Sequence, residues 1–151
     1  MNPMTERRWD IPAIRAGASV CLMFGIPFSL LGQWASGNDN GGLAALFVLC
    51  ALGGFVLGAG VAAWVQTVDL PLKHAMVTAS GTYLVAQTVF IAIRLLRGDD
   101  VNFFSALFNL TAVLFAGSIG GALGMYLRRQ GMRPSTQRRS TNGSVSQEDR
   151  P

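Results

Sequence analysis

Acidic side chains are scarce in this chain, and its long apolar stretches have none. The eight carboxylates are Glu6, Asp10, Asp39, Asp69, Asp99, Asp100, Glu148 and Asp149, each at an end or in a connection. Only 13% of the 151 residues are charged, about half the ~25% of a soluble domain. Proton- or cation-coupled transport therefore lacks its usual intramembrane carboxylate. There is one histidine, His74, with Asp69 and Lys73 beside it. An intramembrane protease or lipid-modifying enzyme needs a Ser and His pair, paired aspartates or a cluster of His and acids. One histidine near a lone acid and a lone amine makes a poor case for any of these. No catalytic residue, metal ligand, cofactor or nucleic-acid partner is expected, and His74, Asp69 and Lys73 read as charges at a water interface.

Cysteine is nearly absent too. Cys21 and Cys50 fall on successive apolar runs. If these are antiparallel helices with ~1.5 Å rise per residue, the two sulfurs lie about 10 Å apart along the membrane normal, too far for a disulfide. They read as buried small hydrophobes.

What remains is apolar and glycine-rich: half of the residues are hydrophobic and 18 are glycine. Four long stretches stand out, residues 14–34, 43–65, 72–95 and 103–127. Each has the ~20 residues that cross ~30 Å of hydrocarbon as a helix. The expected fold is all-α, an integral membrane bundle of four transmembrane helices over residues 14–127. A short polar segment, 1–13, precedes it, and a disordered basic tail, 128–151, follows. A basic start before an apolar run is also the outline of a secretory signal. Here the run is long enough to span and three more follow, so the first helix is retained. Val20 ahead of Cys21 argues against a lipoprotein site.

Small residues pattern the helices. Gly17, Cys21 and Gly25 recur every four residues in the first, and Pro27 removes a backbone donor in its outer half. Residues 35–42 form a polar turn. In the second helix Gly54 and Gly58 share one face while Gly53 and Gly60 lie on another, which predicts a central helix smooth on two sides. In the fourth, Gly117, Gly120, Gly121 and Gly124 lie opposite Phe104, Phe108 and Phe115. Glycines pack on helices there and phenylalanines meet lipid. The runs Gly53-Gly54 to Gly58 and Gly120-Gly121 to Gly124 form a weak repeat of two hairpins.

Polarity inside the spans concentrates on the third helix. His74, Thr78, Gly81 and Thr88 make one stripe, and Ser80, Gln87 and Arg94 another. A side-chain amide in hydrocarbon needs a partner. Gln87 lies about 22 Å along its helix, level with Asn109 on the antiparallel fourth helix. A Gln87 to Asn109 hydrogen bond is expected, worth ~0.6 to 2 kcal/mol.

Ten of the twelve basic residues lie on the side that holds both termini and the second connection. They are Arg7, Arg8, Arg15, Lys73, Arg128, Arg129, Arg133, Arg138, Arg139 and Arg150, against Arg94 and Arg97 on the other side. By the positive-inside rule both termini are cytoplasmic. The basic tail then suits anionic lipid headgroups.

Residues 120–128, Gly120-Gly121-Ala-Leu-Gly124-Met-Tyr-Leu-Arg, resemble a glycine and arginine run of the fluoride channels. In those proteins it lies near the amino end, so no site is carried over. Exporters of the small multidrug resistance family place a carboxylate inside the first helix, which has none here. With a Pro-Leu-Lys-His start to the third helix and glycine-rich second and fourth helices, residues 10–130 resemble the uncharacterised small four-helix membrane proteins common in high-GC bacteria. The resemblance implies a multi-pass protein of the bacterial inner (cytoplasmic) membrane and brings no activity. The expected function is a non-enzymatic structural or interaction component, packing on itself or a larger membrane complex through glycine-rich faces. The alternative is a small transporter or channel subunit with a polar site near Gln87 and Asn109.

Overall fold

Three of the four helices begin where a short polar side chain caps free backbone donors, as helix starts generally require. Asp10, Asn40 and Asn102 accept hydrogen bonds from the N–H groups of Ala13, Leu43 and Ser105. Pro12 and Pro71 stand in the first turns of the first and third helices, where a missing N–H costs nothing. The computed structural model describes residues 9–98 and 100–132. Within them lie α1 (Ile11–Gly37), α2 (Gly41–Val65), α3 (Pro71–Arg97) and α4 (Phe103–Arg129), with no strand. All four are long and apolar enough to cross a membrane. At ~1.5 Å per residue, 27 residues give about 40 Å, enough to pass ~30 Å of hydrocarbon and emerge at both faces.

The helices overrun the expected spans by up to three residues at their ends. The turn expected at residues 35–42 shrinks to Asn38–Asn40, because α1 continues through Gly37 and Asn40 caps α2 at Gly41. Arg128 and Arg129, expected in the tail, form the last turn of α4. Arg7, Arg8, Asp99 and the tail from Arg133 onward lie outside the described residues. Pro27 stands within α1, which runs continuously through it.

Helix α2 touches each of the other three, as does α3, whereas α1 and α4 do not meet. The bundle is thus a rhombus with α2 and α3 on its short diagonal. Helices α1 and α3 run parallel, as do α2 and α4. Asp10, which caps α1, meets His74 of α3, and Gly17 of α1 meets Thr78. Val56 and Gly60 of α2 meet Gly120, and Ala63 meets Gly124.

The core consists mostly of small residues, joined by Phe55 and Val113. On α1 the buried positions are Ala13, Gly17, Cys21, Gly25, Gly32 and Ala35. The expected division of the glycines holds for three of the four on α2, whereas Gly53 faces open space. Gly54 and Gly58 face Phe24, Cys21 and Gly17 of α1, while Gly60 faces Gly120 of α4. On α4, Gly120 and Gly124 serve α2, and Gly117 and Gly121 serve Ala75, Ala79 and Leu72 of α3. A Cβ at Gly58 would collide with the Cys21 sulfur, and one at Gly120 with the Val56 carbonyl. Backbones this close gain dispersion contacts that bulkier residues forbid. The hairpin repeat is only partly reflected: Gly54 and Gly121 each face their hairpin partner, but Gly58 faces α1 where Gly124 faces α2.

Most large side chains lie outside. Phe104, Phe108 and Phe115 are 79%, 69% and 72% exposed, which puts them on the lipid-facing side of a membrane-inserted bundle. Tyr83 joins α3 to α4 by donating its hydroxyl to the Ala106 carbonyl at 2.8 Å.

Candidate functional site: a buried polar junction at the end carrying the termini

The bulkiest side chains that are wholly buried are not leucines or phenylalanines. They are His74, Gln66, Thr78 and Cys21. Three of them are polar and belong to one region, where the starts of α1 and α3 meet the end of α2. Burying such groups is costly unless they are hydrogen-bonded, so their partners matter.

His74 is fully buried, with the Trp9 ring 5.5 Å away at a tilt of 54°. This corrects the expectation of a water-exposed interface charge: the chain ahead of α1 folds over the ring. Its Nε2 accepts the Asp10 backbone N–H at 2.9 Å, and its Nδ1 lies 2.9 Å from the Leu70 carbonyl. A carbonyl can only accept, so Nδ1 carries the proton and the imidazole is neutral in this arrangement. The backbone at Asp10 is thereby fixed to α3.

The Asp10 carboxylate works in the other direction. One oxygen caps Ala13 at 3.2 Å, while the other accepts the Thr67 hydroxyl and the Thr67 N–H, both at 2.9 Å. Burial pushes its pKa up, but the Thr67 bonds and the Ala13 N–H push it down further. The carboxyl therefore titrates below the ordinary carboxylate value. Asp10 was not singled out by sequence, although an acid two residues ahead of Pro12 is a helix-start signal.

Gln66 ends α2 in an extended conformation. Its Oε1 accepts the Val68 N–H at 2.8 Å and makes a longer contact of 3.4 Å with the Leu70 N–H. That oxygen shapes the α2–α3 connection. Its Nε2 is buried without a partner. One turn deeper, the Thr78 hydroxyl is also buried and unpartnered. Five other hydroxyls, those of Ser19, Ser80, Thr88, Thr111 and Ser118, donate to the carbonyl four residues back, the usual way for a helix to satisfy them. Thr78 instead sets its Cγ2 against Gly17. The buried stripe of α3 is thus His74, Thr78 and Thr82; Thr88, expected in it, is exposed and Gly81 faces open space.

The same end carries further ties. Arg128 pairs with Asp69 at 2.9 Å, and the Trp64 indole N–H donates to the Met132 carbonyl at 2.7 Å. Lys73 and Arg129 are exposed beside them, and Arg94 is exposed at the opposite end. The six glycines expected to pack helices, Gly54, Gly58, Gly117, Gly120, Gly121 and Gly124, are all buried.

The expected Gln87 to Asn109 pair does not form. No hydrogen bond joins the two, Asn109 is exposed and Gln87 is half-buried. Equal depth is not enough when the side chains leave their helices in different directions. The two cysteines are free thiols, Cys21 buried against Gly58. Among the described residues no three His, Cys, Asp or Glu side chains gather as metal ligands would. No family model, curated protein or solved structure matches this chain.

Proposed function

We propose that the protein is a non-enzymatic structural or interaction component of the bacterial cytoplasmic membrane, with both termini cytoplasmic. The observation that carries this is the convergence at one end of the bundle. Asp10, Thr67 and His74 hold the start of the chain to the α2–α3 connection, while Asp69 and Arg128 hold the end of α4 to the same connection. Two sequence arms rich in arginine leave from that platform: Arg7 and Arg8 before it, and Arg133, Arg138 and Arg139 after it. Such arms suit anionic headgroups or an acidic cytoplasmic partner. The six buried packing glycines are consumed within the bundle, so association with copies or other proteins uses the outer faces and the platform.

Cross-linking in native membranes followed by mass spectrometry tests this. The expected products join the residues near the two arms to a second protein. A chain that cross-links only to itself overturns the larger complex.

A transporter or channel subunit is the second reading, and the observation that favours it is the buried polar stripe of His74, Thr78 and Thr82 with Gln66 beside it. The locus near Gln87 and Asn109 does not. Ion flux in proteoliposomes that Gln66→Leu abolishes in a folded protein would replace the structural role.

A further inference from the structure

Helices α1 and α3 are joined at their starts, through Asp10 with His74 and Gly17 with Thr78. At the far end a cleft of about 470 Å³ lies between them, lined by Leu30 and Gln33 of α1 and by Phe90, Ile93, Arg94 and Arg97 of α3. That volume falls in the ~300–1,000 Å³ range of small-molecule sites.

The lining is ordered by depth. Leu30, Phe90 and Ile93 make the wall nearer the middle of the bundle. Arg94 and Arg97, three apart on the last turn of α3, project from neighbouring positions. Since α1 and α3 run parallel with Gly17 level with Thr78, Gln33 comes level with Arg94. Neither arginine joins an ion pair among the described residues, where the single pair is Asp69 with Arg128. A guanidinium is a planar fork of donors matched to phosphate oxygens, and an amide adds a further donor.

We propose that this cleft is a binding site for one anionic phospholipid of the bilayer. Its phosphodiester lies between Arg94, Arg97 and Gln33, and one acyl chain runs down the wall of Leu30, Phe90 and Ile93. An apolar wall below two arginines is complementary to such an amphiphile and to nothing purely water-soluble. The site rests on the membrane reading and is independent of any role for the buried junction.

The test is native mass spectrometry of the full chain in mild detergent with three added probes: phosphatidylglycerol, diacylglycerol, which lacks the phosphate, and glycerol phosphate, which lacks the tails. Phosphatidylglycerol is expected to stay bound and the other two to be lost. R94Q with R97Q should lower retention about tenfold or more, while Arg129→Gln at the opposite end leaves it unchanged. Phe90→Trp, which fills the cleft without altering charge, should also lower it. Retention unaffected by R94Q with R97Q, an equal loss in Arg129→Gln, or no effect of Phe90→Trp overturns the proposal. Glycerol phosphate held as well as the lipid overturns it in favour of a free anion. Carbonate extraction is scored separately: release from membranes defeats the membrane reading, whereas an integral protein that keeps no lipid defeats only the cleft.

Discussion

The Nε2 atom of His74 accepts a hydrogen bond at 2.9 Å from the backbone N–H of Asp10, 64 residues earlier in the chain. This bond joins the first residue ahead of α1 to the first turn of α3, and the His74 ring is wholly buried in making it. Removing the ring leaves a backbone donor without an acceptor and a void beneath Trp9. His74→Ala is expected to destabilise the bundle by about 2 to 4 kcal/mol, read as thermal unfolding in detergent. His74→Gln, whose amide oxygen can accept the same N–H, should recover part of the loss. If alanine and glutamine behave alike, the bond is not what holds α1 to α3.

Acid should loosen the same end. The Asp10 carboxyl has a folded pKa below its unfolded value, because the Thr67 and Ala13 bonds outweigh burial. Its stabilisation is therefore complete above the unfolded value of ~3.9, and is lost as pH falls through the lower folded value. Thermal unfolding of the wild type should fall below about pH 4, and Asp10→Asn should show a shallower fall. Parallel curves for the two proteins would remove Asp10 as the cause.

Glycines on α4 and α3 should respond oppositely to alanine. A methyl group at Gly120 meets the Val56 carbonyl and Ala59, so Gly120→Ala forces α2 and α4 apart. The cost expected for such overpacking is about 1 to 3 kcal/mol. Gly81 has nothing within 4 Å of that position, and Gly81→Ala should stabilise by roughly 0.5 to 1 kcal/mol through helix propensity. Unfolding by steric trapping in bicelles measures both. Equal effects would mean that helix contact does not decide them.

Thr78 offers an isosteric test. Its hydroxyl is buried without a partner, so Thr78→Val discards a desolvated polar group and keeps the shape. The variant should be neutral or more stable by about 1 kcal/mol. A clear loss of stability would mean that the hydroxyl is satisfied by a bound molecule, and would favour the transport reading.

Gln87 and Asn109 share a depth but no hydrogen bond. A double-mutant cycle of Gln87→Leu and Asn109→Leu should therefore give a coupling within ~0.5 kcal/mol of zero. A coupling of ~1 kcal/mol or more would restore the pair as interhelical glue.

Much of the architecture was legible because it depends on quantities that are local in the chain. Lengths of apolar runs, the absence of acids within them and the angular spacing of glycines yield four helices, a central α2 and an α4 with one small and one bulky face. The spacing even separates Gly54 and Gly58 from Gly60. The polar junction was not legible in this way. Charge and depth put His74 at a wet interface, whereas Trp9 and Asp10, distant in sequence, cover it.

Composition, and ~100° per residue along one helix, are enough to say which segments can span a membrane, which helix faces allow close approach and where along the chain the basic residues gather. Which polar groups meet depends on how the helices pack. A hydrogen bond depends on the rotation and separation of two helices to within a few tenths of an ångström. That geometry paired Asp10 with His74 and Thr67, left Thr78 alone, and kept Gln87 and Asn109 apart at the same level.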